Sequence, residues 1–331
     1  MKISIIGGGS WGTTLADTLI YNGHDVLIYE INASNALKIS EGIHPYFNVA
    51  LNQKINVTND LQKAINFSDY LVLAVPTTVM RHLLNEIALF LNNKKYFINV
   101  SKGIEIKTSK TVGQIVEEVI NKKLNGGYCV LTGPSHAEET ISRKLTMLVS
   151  ASNDHNLSKA VQVLFSNDTY LRVYTSEDVI GCEVAGAVKN AIAVVSGMAT
   201  GIDLGENARA ALITRGIVEM ATVVALYNGN ARTVYGLAGV GDLIVTASSE
   251  NSRNFRCGKN LGLGKKLDQI FNEEKMTIEG IKTIEALNLI SVNEKIELPL
   301  INTIFDVIFN NLAPKEAVIK LLSRSLKSED V

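Results

Sequence analysis

Cysteine is scarce in this 331-residue sequence. There are only Cys129, Cys182 and Cys257, far apart and with no CxxC pair. An odd, unpatterned set argues against a disulfide framework and for a reducing, cytoplasmic setting. The five histidines (His24, His44, His82, His136, His155) show none of the metal-binding spacings, so no metal site is expected. Only 5 prolines occur, and no repeat, charge block or long Gly/Ser linker interrupts the chain. Charge of either sign is not in excess: 32 Lys and Arg face 33 Asp and Glu, a net charge of −1. Nothing global therefore draws the chain to nucleic acid or anionic membrane, although a local basic pocket for a small anion is compatible with that balance. A secretory leader is not expected, because Ile3, Ile5 and Ile6 run at once into glycine. The longest apolar run, near 184–202, is interrupted by Lys189 and Asn190, and a membrane span needs about 20 apolar residues.

What is present is a globular balance of 46% hydrophobic and 20% charged residues. At roughly 150 residues per domain the length predicts about two domains. Short continuous apolar runs (Lys2–Ile6, Val26–Tyr29, Tyr70–Val75, Tyr96–Val100, Cys129–Leu131, Met147–Ser150, Leu171–Tyr174) alternate with helical stretches such as Thr13–Tyr21, Val79–Phe90 and Val112–Lys122. Continuous runs fit parallel strands covered on both faces, and the alternation predicts a doubly wound α/β sheet of the Rossmann kind, mostly parallel. Beyond about residue 179 the strand-like runs stop. Helical periodicity takes over at Cys182–Ser196, Ala208–Tyr227, Lys282–Leu289, Pro299–Phe309 and Pro314–Leu322. The expected division is a dinucleotide-binding domain over 1–178 and an all-α substrate and catalytic domain over 179–331, with a ligand cleft between them.

Gly7, Gly9 and Gly12 form a G-x-G-x-x-G pattern between the first strand and the first helix. In such a turn the first glycine permits the sharp bend, the second leaves room for a pyrophosphate, and the third lets helix and strand approach. The helix N-terminus offers N–H groups and a positive dipole end to the phosphates. Glu30 follows the second strand, where an acid can bond the adenosine ribose hydroxyls and repel a 2′-phosphate. With no Lys or Arg after it until Lys38, NAD is favoured, with NADP as the alternative. Trp11, the single tryptophan, lies in the turn and suits either cofactor contact or packing.

Lys189 sits in Cys182–Ser196, a segment apolar nearly all round and so expected to be buried. A buried lysine is costly unless paired, and such a group is suited to proton transfer. Lys102 in Ser101–Gly103 and the small residues Gly133, Ser135 and Ala137 follow later strands, at the sheet edge where ligands bind. His136 in the same loop is more ordinary as a surface residue. Asp242 closes a glycine-rich stretch, and Ser252-Arg253-Asn254 offers a forked cation between two neutral hydrogen-bonding groups, a setting for an oxyanion.

Taken together, GGGSWGTTLA (7–16), AVP (74–76), SKGIE (101–105), GPSHAEE (133–139), AVKNAIAV (187–194), NARAALITRG (207–216), GLAGVGDLIVT (236–246), SRN (252–254) and EG (279–280) resemble bacterial NAD(P)-dependent glycerol-3-phosphate dehydrogenases over nearly the full length. The resemblance implies reversible hydride transfer between dihydroxyacetone phosphate and sn-glycerol 3-phosphate, the precursor of glycerophospholipids. It implies that Lys189 is the catalytic lysine, assisted by Asp242, and that Lys102 faces cofactor and substrate. Substrate contacts carry over to Gly133, Ser135, Asp242, Ser252, Arg253 and Asn254, and cofactor contacts to Ser10, Trp11, Lys102, Ala137, Arg253 and Glu279. A cytoplasmic homodimer acting on a small phosphorylated substrate is expected. The chain departs from the family's Tyr-Leu-Pro-Gly loop, reading Tyr46-Phe47-Asn48-Val49, and has Ala247 where a cysteine is frequent. Two other readings fit part of the pattern: a different two-domain dehydrogenase, and a non-catalytic NAD-sensing protein.

Overall fold

The computed structural model describes residues 1–52, 55–273, 278–326 and 328–329. The chain divides into two compact units, one of Met1–Lys102 with Thr111–Val179 and one of Gly103–Lys110 with Ile180–Val331. The short segment Gly103–Lys110 thus belongs to the second unit, which a single boundary after residue 178 leaves out.

The first unit contains strands β1 (Lys2–Ile6), β2 (Asp25–Tyr29), β3 (Asn56–Thr58), β4 (Tyr70–Leu73), β5 (Lys95–Asn99), β6 (Asn125–Thr132), β7 (Thr146–Ala151) and β8 (Leu171–Ser176). Its helices are α1 (Ser10–Tyr21), α2 (Ala33–Ser40), α3 (Leu61–Phe67), α4 (Thr77–Phe90), α5 (Val112–Val119), α6 (Ala137–Ile141) and α7 (His155–Phe165). The strands form one sheet in the order β3-β2-β1-β4-β5-β6-β7-β8. β1 to β6 run parallel, β7 turns antiparallel to β6, and β8 follows β7 in parallel. Alternate residues of β1 feed different cores. Ile3 and Ile5 join Leu15 and Leu19 of α1 on one face, and Ile6 joins Leu83 and Leu84 of α4 on the other. The strand order reverses between β1 and β4, which makes the ends of those strands the ligand crevice of a doubly wound sheet. β3 has no counterpart among the expected strands: its three residues, Asn56, Val57 and Thr58, are too few and too polar to leave a pattern, and they are placed by pairing with β2 and by Val57 packing on the core.

The second unit is helical: α8 (Val179–Gly201), α9 (Glu206–Leu226), α10 (Asp242–Ala247), α11 (Arg253–Gly262), α12 (Leu267–Glu273), α13 (Glu279–Glu294), α14 (Pro299–Phe309) and α15 (Pro314–Leu322). By length and composition α8 could cross a membrane, but 94% of its most apolar stretch is buried inside the fold, where it is the central core element. α11 is absent from the sequence expectations because Arg253–Gly262 is polar and carries two glycines. Tertiary contact explains the helix. A Cβ on Gly258 would lie 1.9 Å from the Val194 carbonyl oxygen, and one on Gly197 would lie 2.0 Å from that of Phe255. The two backbones touch there, which fixes α11 against the C-terminal half of α8.

Glu219 of α9 is buried, and its two carboxylate oxygens accept the backbone N–H groups of Leu300 (2.6 Å) and Ile301 (3.2 Å) at the start of α14. Burial pushes its pKa from 4.5 up to about 7, against the opposing pull of those two N–H donors. The folded chain therefore holds this proton more tightly than the unfolded chain does. Stability from Glu219 is full below pH 4.5 and should be lost as pH rises through about 7. Urea unfolding midpoints measured from pH 4.5 to 8 should show that decline in the wild type and a flatter profile in Glu219→Gln. Parallel profiles would contradict it.

Candidate active site

Gly7 leaves β1 with φ +114°, a conformation that glycine adopts at little cost. A Cβ on Gly12 would lie 2.1 Å from the Gly7 carbonyl oxygen, so α1 rests directly on the turn. Gly9 differs: a Cβ there would meet nothing within 4 Å. No side chain caps α1. The first-turn N–H groups and the open face at Gly9 therefore fit a pyrophosphate, the group this turn accommodates in dinucleotide-binding sheets. Trp11 is partly buried against the sheet core beside them.

Glu30 is buried under this turn. One carboxylate oxygen accepts the Gly8 N–H at 2.9 Å and the other accepts the Asn32 N–H at 2.7 Å. The Gly8 carbonyl in turn accepts the Thr13 hydroxyl at 3.1 Å, so both ends of that residue are held. From the sequence, the Glu30 carboxylate is expected to face a ribose; in the structure both of its oxygens accept backbone N–H groups, and it braces the glycine turn. At the ends of β5 and β6, the Gly133 carbonyl accepts the Lys102 ammonium at 3.1 Å and the Ser135 hydroxyl at 2.9 Å. Gly133 has φ +132°. Ala137 opens α6, with His136 preceding it as the cap residue.

The second unit gathers the other group. A single π-helical turn, Leu237–Gly241, leads into α10 and sets Asp242 at its start. The Lys189 ammonium lies 3.2 Å from the Asp242 carboxylate, with both side chains almost wholly buried. It also donates to the Thr246 hydroxyl at 2.7 Å, and that hydroxyl donates to the Asp242 carbonyl at 2.6 Å. Asp242 and Thr246 stand one turn apart on the same helix face. Thr246 is the residue that sequence reasoning missed. Its signal was the four-residue spacing from Asp242, which is legible only once α10 is known to be helical.

One residue along α8, the Asn190 side-chain oxygen accepts from the Asn254 amide at 2.8 Å, and the Asn254 oxygen accepts the Gly280 N–H at 2.9 Å. This knot ties α8, the first turn of α11 and the start of α13, where Glu279 stands. Ser252 caps α11 by accepting the Phe255 N–H at 3.2 Å. Two of the expected substrate contacts, Ser252 and Asn254, thus also hold the local fold together. Arg253 is the first residue of α11 rather than a loop residue. Among the described residues no cluster of His, Cys, Asp and Glu could hold a metal ion.

Comparison with known proteins identifies the family. The family model described as NAD-dependent glycerol-3-phosphate dehydrogenase N-terminus matches residues 2–158, and its C-terminus counterpart matches residues 178–319. The chain is 56% identical over 329 residues to glycerol-3-phosphate dehydrogenase [NAD(P)+] of Acholeplasma laidlawii, covering 99% of each chain. It is 46% identical over 331 residues to the protein of that name from Phytoplasma mali, covering 100% of each. The crystal structure of glycerol-3-phosphate dehydrogenase from Coxiella burnetii superposes with a TM-score of 0.91 at 31% identity, covering 98% of this chain and 99% of that one. With both of its halves matched and a full-length relative at 56% identity, this chain belongs to the NAD-dependent glycerol-3-phosphate dehydrogenase family.

Proposed function

We propose that the chain reduces dihydroxyacetone phosphate to sn-glycerol 3-phosphate with NAD(P)H, reversibly, and so supplies the precursor of glycerophospholipids. The observation that carries the chemical assignment is the buried Lys189–Asp242–Thr246 cluster in a unit matched by the family's C-terminal model. Reduction of a ketone needs a hydride at carbon and a proton at oxygen, and the bound nicotinamide supplies the hydride. Gly7, Gly9, Ser10, Trp11, Gly12, Glu30, Lys102, Ala137, Arg253 and Glu279 are the residues proposed to hold the cofactor.

Lys189 polarises the carbonyl and gives its proton to the developing alkoxide; in the reverse direction it accepts that proton. Asp242 pairs with the ammonium and aims it, and Thr246 orders the hydrogen bonds around it. Arg253, with Ser252 and Asn254, receives the phosphate, while Lys102, Gly133 and Ser135 orient the rest of the substrate. Binding energy from the non-reacting phosphate then serves to position the carbonyl. The scarcity and wide spacing of the three cysteines favour a reducing, cytoplasmic location, and the apolar helical unit supports a homodimer.

Lys189→Met should lower kcat by about 10²–10⁴, the usual value of general acid catalysis, with NADH still bound in a fluorescence titration. The single change strands Asp242 as a buried charge, which costs about 3–5 kcal/mol. The double variant Lys189→Met/Asp242→Asn should recover stability while remaining inactive. Near-normal turnover in either folded variant would move the role to another group, with Lys102 next in line.

Arg253→Ala should reduce kcat/KM for dihydroxyacetone phosphate about tenfold to a hundredfold, the loss of a charge-assisted bond of about 1.5–3 kcal/mol. Lysine in its place should restore only part, lacking the planar fork. Unchanged kcat/KM in the alanine variant would exclude the phosphate assignment.

NADH should be preferred to NADPH by about tenfold or more in kcat/KM, because a 2′-phosphate would face the Glu30 charge. The first basic residue after Glu30, Lys38, donates to the Pro45 carbonyl at 3.4 Å. Glu30→Gln should narrow the ratio while keeping an acceptor for Gly8. Side-by-side kinetics giving NADPH the advantage in the wild type would overturn the assignment.

A further inference from the structure

The loop between Ile43 and Ala50 contains a histidine, His44, with no exposed surface. The loop is closed by an isolated antiparallel bridge between Ile43 and Ala50. Its tip reverses through Asn48 at φ +54°, a conformation that asparagine tolerates. The His44 Nδ1 accepts two backbone N–H groups from within the loop, Tyr46 and Phe47, each at 3.2 Å. Two such donors require a lone pair on Nδ1, so the ring proton is on Nε2. The Nε2 atom lies 3.1 Å from the Ser10 carbonyl oxygen and 3.3 Å from the Thr14 hydroxyl. Phe47 stacks on the ring, with centroids 4.4 Å apart.

Ser10 is the first residue of α1 and the last position before Trp11 in the glycine turn. Its carbonyl also accepts the Thr14 hydroxyl at 2.8 Å. The imidazole is therefore a two-sided clasp, with one edge folding the loop and the other gripping the first helical turn from behind. Farther along the same loop, the Asn52 N–H donates to Asp17 of α1 at 2.6 Å, so the loop is held to the helix at two levels. Burial lowers the His44 pKa to about 4, against the favourable Ser10 carbonyl and Asp17 charge, so the ring stays neutral at physiological pH and keeps this tautomer.

We propose that His44 is a positioning residue for the dinucleotide. By holding the Ser10 carbonyl it orients the peptide plane whose N–H belongs to Trp11, and with it the donors of the first turn of α1. His44 acts through Ser10 and Trp11 and has no part in proton transfer. The proposal rests on the reading of the glycine turn as a dinucleotide site.

The test uses the full chain and NADH itself. His44→Phe keeps the ring volume and the stack on Phe47 but removes both edges of the clasp. It should raise the NADH Kd in fluorescence titration, and the KM for NADH, about three- to tenfold, with kcat within about twofold of wild type. His44→Gln places an amide N–H where Nε2 was and should recover most of the affinity. A Phe variant with wild-type NADH affinity overturns the proposal. So does a Phe variant that loses kcat at unchanged KM, or a folded Gln variant as weak as Phe. Should His44→Phe not fold, His44→Asn, which keeps the Nδ1-side acceptor and loses the Nε2-side donor, should show the same rise in Kd, and its absence is equally decisive. A wild-type chain that fails to bind NADH overturns the dinucleotide reading itself, and this proposal with it.

Discussion

The buried ion pair between Lys189 and Asp242 is the constraint around which the second unit is arranged. Taking an ammonium and a carboxylate out of water costs several kcal/mol for each ion, and the attraction between them offsets this only with good geometry and further hydrogen bonds. The pair sits at 3.2 Å, with Thr246 bonded both to the lysine and to the backbone of Asp242. Such an arrangement needs a rigid frame. α8 provides it as the largely apolar, buried central helix of the unit, and α10 provides it by starting directly from the turn Leu237–Gly241. The glycine contacts between α8 and α11 and the Asn190–Asn254–Gly280 knot then fix the start of α11 to the same helix. A charge that is costly to bury is thus surrounded by elements that have little freedom to relax away from it.

The first unit solves a different problem with the same economy of parts. The proposed cofactor site needs the N–H groups at the start of α1 left open, so those groups cannot stabilise the turn. Side chains from elsewhere in the unit hold the rest of the turn instead. Glu30 takes the Gly8 N–H, Thr13 takes the Gly8 carbonyl, and His44 takes the Ser10 carbonyl. Glu30 thus braces the turn from both carboxylate oxygens, through the Gly8 and Asn32 N–H groups, and the cofactor preference proposed above would rest on the same carboxylate.

Much of this was legible in the chain before any coordinates. The doubly wound sheet followed from continuous apolar runs, because strands covered on both faces leave no polar residues to alternate. The burial of Lys189 followed from the uniform apolarity of its segment, and the glycine turn from its spacing between a strand and a helix. Other features left no local trace. β3 is three residues long, α11 is polar, and Thr246 looks like any helical threonine. The second roles of Ser252 and Asn254 lie in contacts to Phe255, Asn190 and Gly280, some of them far away in sequence.

The sequence by itself determined the fold class, which rests on hydrophobic periodicity, a local property of the chain; the family and the candidate site residues came from the resemblance of its motifs. Only the tertiary structure decided that residues 103–110 join the helical unit, that α11 exists, that Glu30 faces Gly8 and Asn32, and that His44 grips Ser10. Each of these depends on a partner distant in the sequence or on a backbone approach of a few ångströms. A hydrogen bond or a glycine contact is directional and short-ranged, so it is set by where the fold brings two groups and not by the residues that flank either one.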